Sequence, residues 1–223
     1  MSLGRTEVVA GVQDELTRFE QLVRGLDDEA WRTPTRCEGW TVADVAAHVS
    51  GLESDIAEGR FDLLAAPNAS ERQVAERRGR TPAEVADELQ RSVKVGIDLA
   101  AGLDDAAWEG PAPEGISLTL GAGVEAIWYD TYVHAQDIRA AIGLEAERGP
   151  GLRASVSHLC DLLTDTGWGP ATVALDGLDE FTVSGGGGRR ITGDPLTFVL
   201  VATGRADPAL LGLDDAVNVY RAT

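Results

Sequence analysis

The sequence predicts an α+β protein, with a four-helix bundle over residues 1–147 followed by a small α/β domain over residues 148–223. Apolar residues recur at three- and four-residue spacing in four long segments of the first part, which is typical of amphipathic helices. Gly149-Pro150-Gly151 then interrupts this periodicity. Beyond that point, short β-rich segments lie between two further helical segments, which is the composition of a small α/β domain.

Apolar stripes and capping residues delimit the first two helices of the bundle. The first helix extends to about Leu26 and carries the stripe Val8, Val12, Leu16, Phe19 and Val23. After a loop from Trp31 to Trp40, Thr41 is the expected N-cap of the second helix, since Asp44 stands three residues later. Gly59 ends it. The face expected to point inward consists of Val45, His48, Val49, Leu52 and Ile56.

Residues 60–80 are polar and predict a mobile connection that can include a short helix. The segment is rich in arginine, with Arg60, Arg72, Arg77, Arg78 and Arg80. We interpret the arginines at 72–80 as a solvated segment; the alternative is that one of them faces an anionic substrate.

Strong start and stop signals define the last two helices of the bundle. Thr81, Pro82 and Glu84 combine a cap, a first-turn proline and the partner of a capping box. The apolar stripe that follows consists of Val85, Leu89, Val93, Ile97 and Ala100. The fourth helix runs from about Leu118 to Ile142, and Gly143 stops it.

The α/β domain is predicted from shorter patterns. A helix over residues 151–166 precedes three expected strands at Ala171–Leu175, Glu180–Ser184 and Arg189–Thr192. Gly185–Gly188 is interpreted as a flexible hairpin turn between the last two strands, because it lacks the residues of a phosphate-binding loop. Asp194-Pro195 caps a final helix that continues to about Thr203.

Composition excludes several classes of function. The chain of 223 residues has 37 acidic and 19 basic residues, and its formal net charge of −18 argues against non-specific binding to nucleic acid or to anionic membranes. Two cysteines, Cys37 and Cys160, are too few for a disulfide framework and indicate a reducing, cytoplasmic environment. No apolar run approaches the length of a membrane span. The sequence leaves the oligomeric state open.

Two histidines fall where a bundle core should be apolar, and one has a carboxylate one helical turn before it. Asp130 and His134 are four residues apart and therefore project side by side, while His48 lies on the inward stripe of the second helix. Two nitrogens and one oxygen leave a fourth position open, which is the pattern of a catalytic rather than a structural zinc site. Zinc is the expected metal, with nickel or another divalent ion as the alternative. A core histidine bonded to a neighbouring carboxylate is the competing interpretation.

Two further residues carry interpretations that stay open. Asp137 is a second inward carboxylate, which either accepts a hydrogen bond from a ligand imidazole or pairs with an arginine of the bundle. His158 lies near Cys160 on a later helix and is expected at the surface or at a domain interface.

Three segments resemble the mycothiol-dependent maleylpyruvate isomerase family, a branch of the DinB-like metal-binding bundles. The first is WRTPTRCEGWTVADVAAH, which ends at His48. The second is VHAQDIRAAIG, which contains His134, and the third is ITGDPLTFVLVATGR, which ends at Arg205. The resemblance covers nearly the whole chain in the expected order.

The resemblance implies a DinB-like four-helix bundle with a C-terminal α/β domain and a divalent metal, usually zinc, in the bundle. His48 and His134 match the family's ligand histidines. Asp130 stands where the isomerases carry glutamate and many DinB-like relatives carry histidine, so its carboxylate is one methylene closer to the helix than that glutamate. Arg205 matches a C-terminal arginine that faces the cleft and binds a substrate carboxylate.

The function implied is that of a metal-dependent isomerase or thiol transferase, which uses mycothiol as its low-molecular-weight thiol and a small electrophilic molecule as its substrate. A non-catalytic metal-binding or small-ligand-binding protein is the alternative. Turnover that depends on a thiol distinguishes the two.

Overall fold

The computed structural model describes residues 3–221, which divide into two compact units. The first spans Gly4–Ala146, and the second comprises residues 147–221 together with Leu3. The first is built from helices, whereas the second contains helices and the three strands. Within the described residues, no helix has both the length and the apolar character needed to cross a membrane.

Four long helices make up most of the first unit: α1 (Arg5–Arg24), α3 (Val42–Ala57), α6 (Pro82–Gly102) and α8 (Leu120–Ala141). Helix α1 packs against α6 and α8, and α3 packs against the same two helices. The four helices therefore close into a bundle in which α1 and α3 are diagonal, which confirms the predicted four-helix bundle. Two single-turn helices, α2 (Asp28–Trp31) and α7 (Asp105–Trp108), lie in the connections.

The predicted helix starts are confirmed by their capping geometry. Thr41 and Asp44 form a reciprocal capping box at the start of α3, and Thr81 and Glu84 form another at the start of α6. Each box satisfies backbone N–H groups that a helix start leaves without an intrahelical partner. Gly143, just after α8, adopts the left-handed conformation (φ 71°) that glycine tolerates best at a helix end.

The contact between α1 and α8 is built around Trp128, whose exposed fraction is 1 %. Its ring lies directly on the backbone of Gly11, where an added Cβ would be 2.0 Å from the nearest ring atom. Its Nε1 donates a hydrogen bond to Oε2 of the buried Glu15 at 3.3 Å. The absence of a side chain at position 11 thus sets how closely the two helices approach.

The connection over residues 60–80 is more helical than the predicted short helix, and part of it is buried and not solvated. The segment forms two helices, α4 (Phe61–Leu64) and α5 (Ala69–Arg77), and α5 packs on α3. Arg77 is 4 % exposed and its Nε donates to Glu88 at 2.8 Å, so this arginine is part of the protein interior. The polar sequence gave no indication of this burial. Charged side chains can be buried here because they form ion pairs inside the unit.

The expected inward face of α3 is only partly correct. Leu52 and Ile56 are half-buried, whereas Glu53, Ser54 and Asp55 are buried. The reason is that α3 has neighbours on three sides, α5, α6 and α8, instead of one apolar side toward a core. Such a helix buries polar positions that a single-stripe pattern assigns to solvent.

The second unit contains α9 (Pro150–Asp165), three strands and α10 (Pro195–Ala202), followed by two 3₁₀ turns, Pro208–Leu211 and Asp215–Val217. The strands are β1 (Ala171–Leu175), β2 (Phe181–Val183) and β3 (Arg189–Gly193), in the order β2-β1-β3. β1 pairs antiparallel with β2 and parallel with β3, and α9 packs against α10 and β2. The small α/β domain is therefore confirmed.

The predicted hairpin at Gly185–Gly188 is wrong, because β2 and β3 lie on opposite sides of β1. The glycines carry the chain across the end of the sheet with positive φ at each position. At Gly188 an added Cβ would lie 2.3 Å from the carbonyl oxygen of Pro170, so the close approach requires glycine. His158 on α9 is 8 % exposed, which excludes the predicted surface placement.

Candidate metal centre

The structure brings the three predicted ligands together between α3 and α8. Asp130 Oδ1 lies 3.5 Å from His134 Nε2, and Asp130 Oδ2 lies 3.5 Å from His48 Nε2. One ligand atom from each residue lies within 4.8 Å of the other two. The side chains of His48 and His134 are 9 % and 11 % exposed, and that of Asp130 is 26 % exposed, so the group remains reachable from one side.

The tautomers of both imidazoles follow from the contacts of Nδ1, the ring nitrogen that points away from Asp130. His48 Nδ1 lies 2.9 Å from the amide oxygen of Gln73, and His134 Nδ1 lies 3.1 Å from Oδ2 of Asp137. An oxygen of either kind accepts a hydrogen bond, so each Nδ1 carries the proton. In the neutral imidazoles each Nε2 then presents a lone pair toward Asp130, the orientation that metal-ligating histidines adopt.

These three residues fit a divalent cation. Two ligands held at about 2.1 Å from a tetrahedral metal are about 3.4 Å apart. Each Nε2 lies 3.5 Å from a different oxygen of Asp130, and one ligand atom from each residue lies within 4.8 Å of the other two, so small shifts of the side chains would bring all three to one ion. Asp130 Oδ2 is buried and makes no hydrogen bond within residues 3–221, its nearest polar contact being His48 Nε2 at 3.5 Å; a buried oxygen of this kind is costly unless a cation satisfies it. The competing interpretation, a core histidine bonded to a neighbouring carboxylate, accounts for the contacts of His134 with Asp130 and Asp137 but leaves Asp130 Oδ2 with only a 3.5 Å contact to His48.

The electrostatics of the group favour a positive charge at its centre. Burial disfavours ionisation of Asp130, but the imidazoles of His134 and His48 outweigh it and hold the pKa of Asp130 below its usual range. Burial likewise opposes charge on His134, yet the charge of Asp130 and the hydrogen bonds with Asp130 and Asp137 raise its pKa well above 6.5. In the metal-free protein a proton on His134 therefore supplies the charge that a metal would bring.

Asp137 contacts both an imidazole and an arginine, the two kinds of partner that the sequence left open. It is fully buried, accepts the hydrogen bond from His134 Nδ1, and accepts another from Arg36 Nε at 2.6 Å. The arginine comes from the loop before α3 and not from a bundle helix. Asp137 Oδ2 also accepts a hydrogen bond from Cys37 Sγ at 3.1 Å, so one carboxylate orients the imidazole and ties it to the loop.

Cys37, His134 and Asp137 also have potential ligand atoms within 4.8 Å of one another. In that group His134 Nδ1 and the thiol of Cys37 already donate hydrogen bonds to Asp137. Arg36 forms an ion pair with the same carboxylate, so the positive charge there is already provided. The Nε2 side of His134 is therefore the better candidate for a metal. The sequence analysis did not predict that Cys37 hydrogen-bonds to Asp137. The position of Cys37 in the segment that ends at His48 was the one feature that could have indicated a place near the site.

Trp40 forms one wall of the site. Its ring centroid lies 5.4 Å from that of His48 and 6.4 Å from that of His134, with the latter pair stacked. An aromatic side chain against both imidazoles restricts their rotation and keeps water from one side of the pair. Trp40 is half-buried and belongs to the loop that joins α2 to α3, where no helical periodicity indicates a contact with the bundle.

Two polar residues beyond the ligands were also missed. Gln73 on α5 is 1 % exposed and donates through Nε2 to Oδ2 of Asp55, which is fully buried on α3. Asp55 also accepts hydrogen bonds from Arg60 and Arg72. Burial disfavours its charge, but the hydrogen bonds from Arg72, Gln73 and Arg60 prevail and lower the pKa of Asp55.

Glu53 is a third buried carboxyl group, on α3. Its exposed fraction is 3 %, and its Oε1 makes no hydrogen bond within the described residues. Burial, and to a smaller degree the negative charge of Asp130, raise the pKa of Glu53 to about 8. At neutral pH Glu53 is therefore mainly an uncharged acid, and nothing in the sequence distinguished it from a surface glutamate.

Arg205 lies in the second unit, just after α10, and is half-buried. Its Nη1 donates to the carbonyl oxygen of Thr203, the residue that caps the C-terminus of α10, at 3.4 Å. This contact is the one expected of an arginine that complements the end of a helix. Its role as an anchor for a substrate carboxylate stays a prediction.

Comparison with known proteins connects the bundle with one family. The sequence profile described as the mycothiol maleylpyruvate isomerase N-terminal domain matches residues 12–139. The crystal structure of a mycothiol-dependent maleylpyruvate isomerase is similar at 18 % identity and a TM-score of 0.61, and a histidine-to-alanine mutant of such an enzyme at 17 % and 0.63. Each match covers 92 % of this chain and 90 % of the other. No curated protein matches the chain.

Proposed function

Because the chain belongs to the family of the mycothiol maleylpyruvate isomerase N-terminal domain, we propose that it is a metal-dependent enzyme that uses mycothiol to isomerise, or to transfer the thiol to, a small electrophilic substrate. The observation that carries the proposal is the convergence of His48 Nε2, His134 Nε2 and an unpaired buried oxygen of Asp130. A carboxylate oxygen and two imidazole nitrogens that face one another favour a positive charge between them, which a proton on His134 supplies in the metal-free protein and a divalent cation would supply in the loaded one.

His48, Asp130 and His134 would hold the metal, expected to be zinc, with nickel as the alternative. When bound, a divalent cation lowers the pKa of a coordinated thiol, so that the thiol is deprotonated near neutral pH. Gln73 and Asp137 hold the two imidazoles in the tautomer that leaves Nε2 free. Asp130, whose side chain is 26 % exposed, marks the side from which a thiol can reach the site.

The reaction proposed is an addition of the thiolate sulfur to one carbon of an activated double bond. The former double bond is then a single bond that can rotate. Expulsion of the thiolate restores the double bond in the other geometry, which completes an isomerisation. Protonation of the neighbouring carbon instead leaves the thiol attached, which completes a transfer. Arg205 is the proposed anchor for a substrate carboxylate.

Metal analysis followed by a thiol titration tests the proposal. Protein purified without chelator is expected to contain about one divalent metal per chain, and His48→Ala is expected to lose it. Calorimetric titration with mycothiol should then give binding to the metal-loaded protein and none to protein stripped with a chelator. A folded protein that stays metal-free after incubation with zinc would refute the proposal.

Turnover separates the enzyme from a binding protein. Maleylpyruvate and a panel of electrophiles with activated double bonds would be incubated with mycothiol and the metal-loaded protein, and His48→Ala would serve as the matched control. Thiol-dependent isomerisation or adduct formation that the control lacks supports the proposal. Metal and mycothiol binding without turnover of any member of the panel would favour the non-catalytic alternative.

A further inference from the structure

A chain of hydrogen bonds leads from the candidate metal centre to a buried carboxylate on the same helix. His48 Nδ1 donates to Gln73 Oε1 at 2.9 Å, and Gln73 Nε2 donates to Asp55 Oδ2 at 2.7 Å. His48 is 7 % exposed, Gln73 1 % and Asp55 is fully buried, so water does not compete for these bonds. In such a buried chain, the choice of donor and acceptor at one end fixes the donor and acceptor of every other hydrogen bond in the chain.

The direction is decided at Asp55. An ionised carboxylate only accepts hydrogen bonds. Asp55 takes them from Arg60 Nε at 2.9 Å, from Arg72 Nη2 at 2.5 Å and from the amide of Gln73. These hydrogen bonds also keep it charged by lowering its pKa against the effect of burial. Gln73 must therefore turn its NH₂ group toward Asp55 and its oxygen toward His48.

The backbone is shaped to allow this contact. His48, Gly51 and Asp55 are three and four residues apart, so they form one stripe on the face of α3 that α5 covers. An added Cβ at Gly51 would lie 2.5 Å from Cβ and 2.7 Å from Cγ of Gln73. Glycine at this position lets the stem of Gln73 lie against α3, with its amide between His48 and Asp55.

We propose that Asp55 and Gln73 are positioning residues, which hold His48 in the tautomer that binds metal although neither of them touches the metal position. The inference rests on the metal site proposed above. With the amide reversed, His48 Nδ1 would have to accept a hydrogen bond, and the proton would move to Nε2. A proton on Nε2 removes the lone pair that faces Asp130, and His48 then ceases to be a ligand.

Zinc affinity measured by competition with a chromophoric chelator tests the inference. Gln73→Met keeps the length of the side chain but neither donates nor accepts, and Asp55→Ala removes the group that orients the amide. Each is expected to weaken zinc binding by about 10–100-fold. Arg80→Gln is the control: it removes an ionic hydrogen bond, from Arg80 to Glu88 at 2.7 Å, but no contact of Gln73 or Asp55, so the affinity should stay near that of the wild type.

A charge swap distinguishes orientation from simple packing. In the double variant Asp55→Asn with Gln73→Glu, the new amide donates to the new carboxylate, which still accepts from His48 Nδ1. Zinc affinity should therefore recover most of the loss seen in Gln73→Met. In zinc-loaded wild type, ¹⁵N NMR should also detect a protected Nδ1–H of His48, and this signal should be absent from Gln73→Met.

The outcomes separate the two proposals. Wild-type protein that binds no zinc overturns both the metal site and this inference. Zinc binding by the wild type with unchanged affinity in Gln73→Met overturns the inference alone. If Arg80→Gln loses as much affinity as Asp55→Ala, or if the charge swap restores nothing, Gln73 and Asp55 act only through the stability of the fold. Thermal unfolding of each variant measures that contribution. Because Gln73→Met leaves the ion pairs of Asp55 in place, it keeps the test decisive should Asp55→Ala fail to fold.

Discussion

Replacing Glu53 with glutamine is expected to change how the stability of the protein depends on pH. Glu53 is buried, and its Oε1 makes no hydrogen bond within residues 3–221. Burial and the nearby charge of Asp130 raise its pKa from 4.5 to about 8 in the folded state. In the unfolded chain the same carboxyl group titrates at its ordinary value.

The sign and size of the effect follow from this difference. Between pH 4.5 and 8 the folded protein keeps a proton on Glu53 that the unfolded chain has lost. The contribution of Glu53 is therefore fully present below pH 4.5, and it is lost as pH rises to about 8. A shift of one pKa unit corresponds to about 1.4 kcal/mol, and the carboxyl group is only half titrated at each end of the interval. The free energy of unfolding of the wild type should therefore fall by about 4 kcal/mol between these pH values relative to that of Glu53→Gln. Glutamine has no proton to lose and stays neutral throughout.

Urea denaturation of both proteins at several pH values between 4.5 and 9 measures this difference. The metal-free form should be used first, because a cation beside Asp130 would favour the ionised form of Glu53 and reduce the effect. Subtracting the two pH profiles removes the contributions of groups that titrate alike in both proteins. Parallel profiles for wild type and Glu53→Gln would refute the reasoning, since they would mean that Glu53 titrates normally in the fold.

Three further outcomes are expected. Asp130→Glu should retain zinc in elemental analysis, because a longer carboxylate can still place an oxygen at the ion, whereas Asp130→Ala should lose much of it; equally tight binding by Asp130→Ala would leave Asp137 as the better candidate. Gly51→Ala should lose about 1–3 kcal/mol of stability in urea denaturation and also weaken zinc binding, because the added Cβ meets the stem of Gln73; unaltered stability would show that α5 can move aside at no cost. Once a substrate is known, Arg205→Ala should raise KM or lower kcat/KM without changing metal content, and unchanged kinetics would leave Arg205 as a helix-end residue only.

The local sequence determined the four bundle helices and the pairing of Asp130 with His134. Capping boxes and apolar stripes are local signals, and so is a four-residue separation, which brings two side chains to one face of a helix wherever that helix lies. His48 was recognisable as a candidate ligand because a histidine interrupts the otherwise apolar stripe of the second helix. The strands were found for the same reason, although their order was not: the pairing of β3 with β1 is a contact between distant segments.

The surroundings of the ligands were decided by tertiary structure. Gln73 lies in a polar segment that has no local sign of burial, and only the docking of α5 on α3 at Gly51 brings its amide to His48. Cys37 and Trp40 reach the imidazoles because their loop folds back over α8, a contact that no periodicity encodes. Whether Glu53 is charged depends on which helices surround it. The sequence thus determined which atoms could bind a metal, whereas packing between distant segments decided their protonation and orientation, since both depend on neighbours far away along the chain.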